Sequence, residues 1–166
     1  MAKLKTELYR AGDYRVIRLS GDAGDFFRTH HTESYPRSRN PNVVVMVSGT
    51  LEWGREDGAA PLATLVAGDT GDKLPDPEKG EHRFVARTPV LYYCVSRADG
   101  GVPRHRRVGM RAEESVTVRA GGIAILLAGS VKARVFSVSA PGAVISMDSG
   151  AATVSALTPC ALEVFE

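Results

Sequence analysis

Four side chains in this sequence have the chemistry to hold a transition metal: His30, His31, Glu33 and His82. Imidazole nitrogens and carboxylate oxygens are the donors that divalent iron, manganese and zinc accept. An ion held there would act as a Lewis acid or bind oxygen. His30, His31 and Glu33 stand close together, whereas His82 lies far along the chain and must be brought to them by the fold. In an extended backbone His30 and His31 face opposite ways, so at most one of them looks inward. The plainer reading makes His30-His31 an exposed pair in a polar loop and His82 a hydrogen-bonded histidine at the mouth of a barrel, with no cofactor. Trp53 is read first as packing. A mouth around His82 and Trp53 that takes a sugar or another small ligand without a metal is a third possibility. Tyr92 and Tyr93 are consecutive on one strand, so one faces in and the other out, where tyrosine suits an interface.

Other chemistry is sparse. No nucleophile elbow, phosphate loop or dinucleotide fingerprint is present. Gly21-Asp22-Ala23-Gly24-Asp25 lacks the length and the closing glutamate of a calcium loop, so it reads as a plain turn. Cys94 and Cys160 both lie in apolar strand patterns and read as buried thiols. A bond between them would need Cα atoms within about 7 Å, and two cysteines define neither a disulfide framework nor a zinc site.

The elements that must position these residues are short strands. Apolar alternation and β-branched runs predict strands at 5–9, 14–19, 42–47, 50–54, 63–66, 83–86, 90–95, 115–118, 123–127, 133–138, 143–147, 153–156 and 161–165. The one helical signal is a weak turn at 109–115, around Arg111-Ala112-Glu113-Glu114. Segments 30–41, 69–80 and 99–107 are polar and rich in turn formers, and read as loops. The last holds Arg104-His105-Arg106-Arg107, either a solvated linker or a small surface for anions.

The same punctuation occurs twice. Val43–Gly49 and Ile123–Gly129 are apolar strands ending in a small-residue turn. Val66-Ala67-Gly68-Asp69 and Ala140-Pro141-Gly142 follow. Then come Ala86-Arg87-Thr88-Pro89 and Ala156-Leu157-Thr158-Pro159, each leading into another apolar run. Two copies of one β unit are implied. The expected division is a first barrel with N-terminal strands over 1–98, a linker at 99–109 and a smaller repeat over 110–166.

Residues 42–95 resemble the cupin superfamily. The likeness rests on Val43–Gly49 with Thr50-Leu51-Glu52-Trp53, then Gly68-Asp69, Leu74-Pro75, and His82 before Phe84-Val85-Ala86. The resemblance implies an all-β chain of two tandem cupin-like antiparallel β-barrels of jelly-roll type. Metal-binding cupins supply two His and one Glu from a first motif and one His from a second. Counting back from Gly49, the resemblance puts Asn42 in the Glu position and Ser38 and Pro36 in the His positions. His82 fits the second motif, and its counterpart in the second repeat is Ala152. The metal motif is therefore eroded, unless an insertion slides His30, His31 and Glu33 into place.

Composition bounds the function. The 166 residues suffice for one large domain or two small ones. A net charge of +2 gives no pointer to nucleic acid, and no apolar run is long enough for a membrane helix. From residue 120 onward the ionised side chains are Lys132, Arg134, Asp148, Glu163 and Glu166 alone. So charge-poor a half suggests surface shared with a partner. The expected function is a non-catalytic double-cupin-like protein for assembly or binding, with a phage capsid or tail accessory protein as its sharpest form. Its partners would be proteins, in a homo-oligomer or larger assembly, with neither nucleic acid nor membrane. The place would be the cytoplasm or a virion, with no signal peptide for secretion. The alternative is a metal-dependent cupin enzyme, an isomerase or oxygenase acting on a small molecule.

Overall fold

Short alternating segments become sixteen strands. In the computed structural model, which describes residues 2–58 and 60–166, the first eight are β1 (Lys5–Ala11), β2 (Tyr14–Gly21), β3 (Phe26–His31), β4 (Val43–Ser48), β5 (Thr50–Arg55), β6 (Ala63–Val66), β7 (Gly80–Ala86) and β8 (Val90–Arg97). The other eight are β9 (His105–Met110), β10 (Ser115–Val118), β11 (Ile123–Ala128), β12 (Val131–Ala133), β13 (Phe136–Val138), β14 (Val144–Ser146), β15 (Ala152–Ala156) and β16 (Cys160–Phe165). Two three-residue 3-10 turns, Arg37–Arg39 and Gly71–Lys73, are the helical segments among the described residues.

The chain divides into two units: Met1–Leu8 with Ile17–Val95, and Tyr9–Val16 with Ser96–Glu166. The first contains the sheet β3-β7-β5-β6 and most of the sheet β1-β2-β8-β4. Its core is Leu4, Leu19, Met46, Leu51, Trp53, Leu65 and Tyr92 with their neighbours. The second contains β14-β11-β16-β9 and β10-β15-β12-β13, around Val118, Leu126, Val131, Met147, Val154, Leu162 and Val164. Each core lies between two antiparallel sheets whose inner faces carry every second side chain, a jelly-roll arrangement.

The repeated phrase is explained by one corner built twice. Gly49 and Gly129 turn with φ +82° and +80°. A Cβ on either would stand 2.1 Å and 2.2 Å from the Pro89 and Pro159 carbonyl oxygens, so only glycine fits. Beside them, the Thr50 amide donates to Thr88 Oγ1 and the Ser130 amide to Thr158 Oγ1, both at 2.9 Å. Gly68 donates to the Met46 carbonyl at 2.9 Å, as Gly142 does to Leu126 at 2.6 Å. Each copy thus uses its Gly, Thr and Pro to close the same bend.

Four expectations need correction. Residues 26–31 form β3, where no strand was expected. Both of its faces mix polar and aromatic residues, so no apolar alternation marks it. Residues 105–109, expected within a linker, form most of β9 against β16. Part of the basic run there is paired: His105 Nδ1 and Arg107 Nε each lie 2.6 Å from the buried Glu163 carboxylate. Arg106 lies 3.9 Å from Glu166. The expected strand 133–138 is a hairpin, β12 to β13, reversing at Arg134 with φ +56°. The expected helical turn at 109–115 is instead the end of β9 followed by a turn with Glu113 at φ +71°. Cys94 and Cys160 are free thiols.

Candidate functional site in the first barrel

β3, β7, β5 and β8 place aromatic and polar side chains on the inner face of the first unit. Thr29 sits opposite His82, Phe27 opposite Phe84 and Trp53 opposite Phe84 in the strand registers. All of these but His82 line a cavity of about 210 Å³, below the ~300–1,000 Å³ of drug-sized sites. Phe27, Thr29, His31, Trp53, Phe84 and Tyr92 make its walls, and Tyr35, Arg37, Asn40, Asn42, Leu74 and Pro77 its rim.

The rim comes from the two polar loops, which are tied together. The Tyr35 amide donates to the Pro77 carbonyl at 3.3 Å. The Arg37 amide donates to Asp76 Oδ1 at 3.1 Å, and the Lys79 amide to Ser34 Oγ at 3.0 Å. Backbone bonds across two loops fix the rim without spending the side chains that face the cavity.

The four metal candidates separate. His31 lines the cavity, with Nδ1 3.0 Å from the Tyr35 hydroxyl. His82 is fully buried, stacked on Trp53 at 5.0 Å and 11°, with the His31 ring edge-on at 5.3 Å. His30 is on the outer face of β3, exposed, 3.8 Å from Glu81. Glu33 is exposed and paired with Arg39. Only His31 and His82 meet. Among the described residues no three His, Cys, Asp or Glu side chains converge on one point. A cupin-type metal needs more donors than that, so the residues present do not fit it. Asn42, which the resemblance set in place of the family's Glu, does line the cavity, but as a neutral amide.

What the site offers instead is hydrogen bonding in an aromatic box. Thr29 Oγ1, the Tyr92 hydroxyl and both His82 ring nitrogens are buried without a protein partner. Burial and the nearby His82 and His30 hold the His31 imidazole below its ordinary value, toward the neutral form. Burial pushes the Cys94 thiol, also on the cavity, up to about 12. Among the described residues Arg37 is the one fixed cation on the lining, and no carboxylate lines it. In the second unit the positions of Thr29 and His82 are taken by Val118 and Ala152, which pair in the same way. That interior is aliphatic.

Sequence reasoning missed Thr29, Tyr35 and Arg37. Thr29 was lost with β3. Tyr35 and Arg37 had a signal, an aromatic and a basic residue flanking Pro36 in a loop next to the first barrel strand, but the loop read only as polar.

No protein-family model matches this chain, and no curated protein matches it. Solved structures do. A cupin 2 conserved barrel domain protein from Leptotrichia buccalis superposes with a TM-score of 0.62 at 14% identity, covering 99% of this chain and 88% of that one. YhhW from Escherichia coli gives 0.60 at 13% identity, over 93% and 81%. A structure of that bacterial pirin in complex with nickel(II) gives 0.53 at 12%, over 99% and 83%. These likenesses show the fold alone: all-β and cupin-like, built of jelly-roll barrels.

Proposed function

We propose that this cupin-fold protein is a binding module whose first barrel takes a small organic molecule. The observation that carries the reading is the pair of unpartnered polar groups on the cavity lining, Thr29 Oγ1 and the Tyr92 hydroxyl, with the unpaired His82 imidazole packed against the lining residues Trp53 and His31. Leaving one such group unsatisfied costs about 1–3 kcal/mol, and native interiors seldom strand several together. A ligand with matching donors and acceptors offsets that cost, while Trp53, Phe84 and Phe27 supply flat apolar contact. The reading assigns binding and no reaction.

Isosteric variants test it. Thr29→Val and Tyr92→Phe should each raise stability by about 1 kcal/mol and weaken small-molecule binding, followed by thermal melts and a ligand-observed NMR fragment screen. Fragments that bind wild type and both variants alike, or no fragment bound at all, would remove the reading.

A second reading, self-assembly, has its own observation. Val135 and Phe136, at the β12–β13 hairpin, are 82% and 69% exposed. A second copy of this chain packing on that hairpin would cover them. A mass in solution equal to one chain, unchanged by Phe136→Ser, would dismiss it. The virion expectation stands on composition alone.

A further inference from the structure

We infer that the molecule held in the first barrel is a small carboxylate, anchored by the Arg37 guanidinium. The inference rests on the cavity being a ligand site, as proposed above, and adds the charge and the residue that reads it.

Three features of the lining point the same way. First, its charge is one-signed: Arg37 contributes a guanidinium, and among the described residues no Asp or Glu lines the cavity. Second, the guanidinium has no ion-pair partner among the described residues, although carboxylates are near. Glu33 is engaged by Arg39, and Asp76 directs Oδ1 to the Arg37 backbone amide. Third, the remaining polar groups of the rim and walls can donate to an anion. Asn40 and Asn42 carry amides, and Tyr92 carries a hydroxyl.

Burial lowers the Arg37 pKa from its ordinary value, against the smaller opposing pull of Cys94, Asp76, Tyr35 and Asp72. Arg37 is partly buried, so its guanidinium is less fully hydrated than a surface one and has charge to offer an anionic ligand. The geometry favours one negative charge. Among the described residues Arg37 is the only permanent cation on the lining, and His31 is held toward its neutral form. A guanidinium fork matches the two oxygens of a carboxylate. Phosphate carries more charge than one arginine balances. The aromatic walls then require a flat apolar body behind the carboxylate.

The test uses the full chain and matched probes: benzoate and phenylacetate, each beside its primary carboxamide, with inorganic phosphate as a third arm. Ligand-observed NMR at millimolar concentration gives relative affinities for wild type, Arg37→Gln and Arg37→Lys. Wild type should bind at least one carboxylate about tenfold more tightly than its amide, the worth of one charge-assisted contact. Arg37→Gln should erase that preference and Arg37→Lys retain part of it. The 3-10 turn of Arg37 buries no residue, so the Arg37→Gln melting temperature should match wild type. An amide binding as well as its acid, or an acid preference that survives Arg37→Gln, overturns the charge assignment and leaves the cavity reading standing. Phosphate competing as well as benzoate overturns the single-charge assignment. Binding by none of the probes overturns this inference, whereas the fragment screen above decides the cavity reading by itself.

Discussion

His82 is held face to face by Trp53 and edge-on by His31, with both of its nitrogens buried and unpaired. A core histidine kept only for packing would be better replaced by phenylalanine. His82→Phe should therefore raise the melting temperature, and a fall would mean that the imidazole is needed for folding. Cys94 makes a simpler prediction. Its thiol, pushed up to about 12 by burial, stays protonated at neutral pH. Native protein should take up iodoacetamide at Cys94 far more slowly than denatured protein, and equal rates would contradict the burial. In the second unit Asp148 accepts hydrogen bonds from the Ser146 hydroxyl and the Gly12 amide, which hold its carboxyl below the usual range. As pH falls the unfolded chain binds this proton first, near the ordinary ~3.9. The stabilisation is full above that value and is lost as pH drops through the lower folded one. Asp148 is exposed, so the contribution is no more than about 1 kcal/mol. Asp148→Asn should flatten the acid limb of a melting-temperature profile below about pH 4; an unchanged limb would show that the group does not matter.

The strand corners explain why so much of the architecture could be read from residue order. Gly49, Thr88 and Pro89 and their counterparts Gly129, Thr158 and Pro159 are recognisable because each holds a bend that few residues can replace. Gly49→Ala and Gly129→Ala should each cost more than about 2 kcal/mol, because strain at positive φ adds to a backbone clash. Gly24→Ala, with φ +92° and open space around it, should cost nearer 1 kcal/mol. Equal losses in urea melts of the three variants would refute the corner argument. Other elements were hidden for identifiable reasons. β3 carries Phe26-Phe27-Arg28-Thr29-His30-His31, polar inside because it faces a cavity and polar outside because it faces water, so a cavity-lining strand lacks the pattern of a packed one. β9 looked like a basic linker because its partner, Glu163, lies far along the chain. Glu163 is buried and answers both His105 and Arg107. Arg107→Met should cost about 3 kcal/mol by leaving that carboxylate underpaired, measured by denaturant unfolding. A loss below half of that would mean that His105 alone suffices.

The cupin fold was legible across both repeats, since the two runs of strands and turns follow one order. The candidate site was legible only in part. His31, His82 and Trp53 were singled out and do lie together, while His30 and Glu33 lie outside. Proximity in sequence brought them into one group, but strand alternation turns His30 outward, and Glu33 lies past the end of β3, paired with Arg39. Duplication with divergence accounts for the contrast between the units. One interior keeps Thr29 opposite His82; the other has Val118 opposite Ala152 and is filled with aliphatic side chains. Binding chemistry is therefore expected in the first unit alone. The most direct test follows the Trp53 indole N–H in a 15N-resolved NMR titration with benzoate, since the chain has a single tryptophan and it lines the cavity. The account predicts a saturable shift of that signal together with the Thr29 and Tyr92 amides, while β10 to β16 stay still. A titration that leaves Trp53 unmoved, or that shifts the second unit instead, would contradict it.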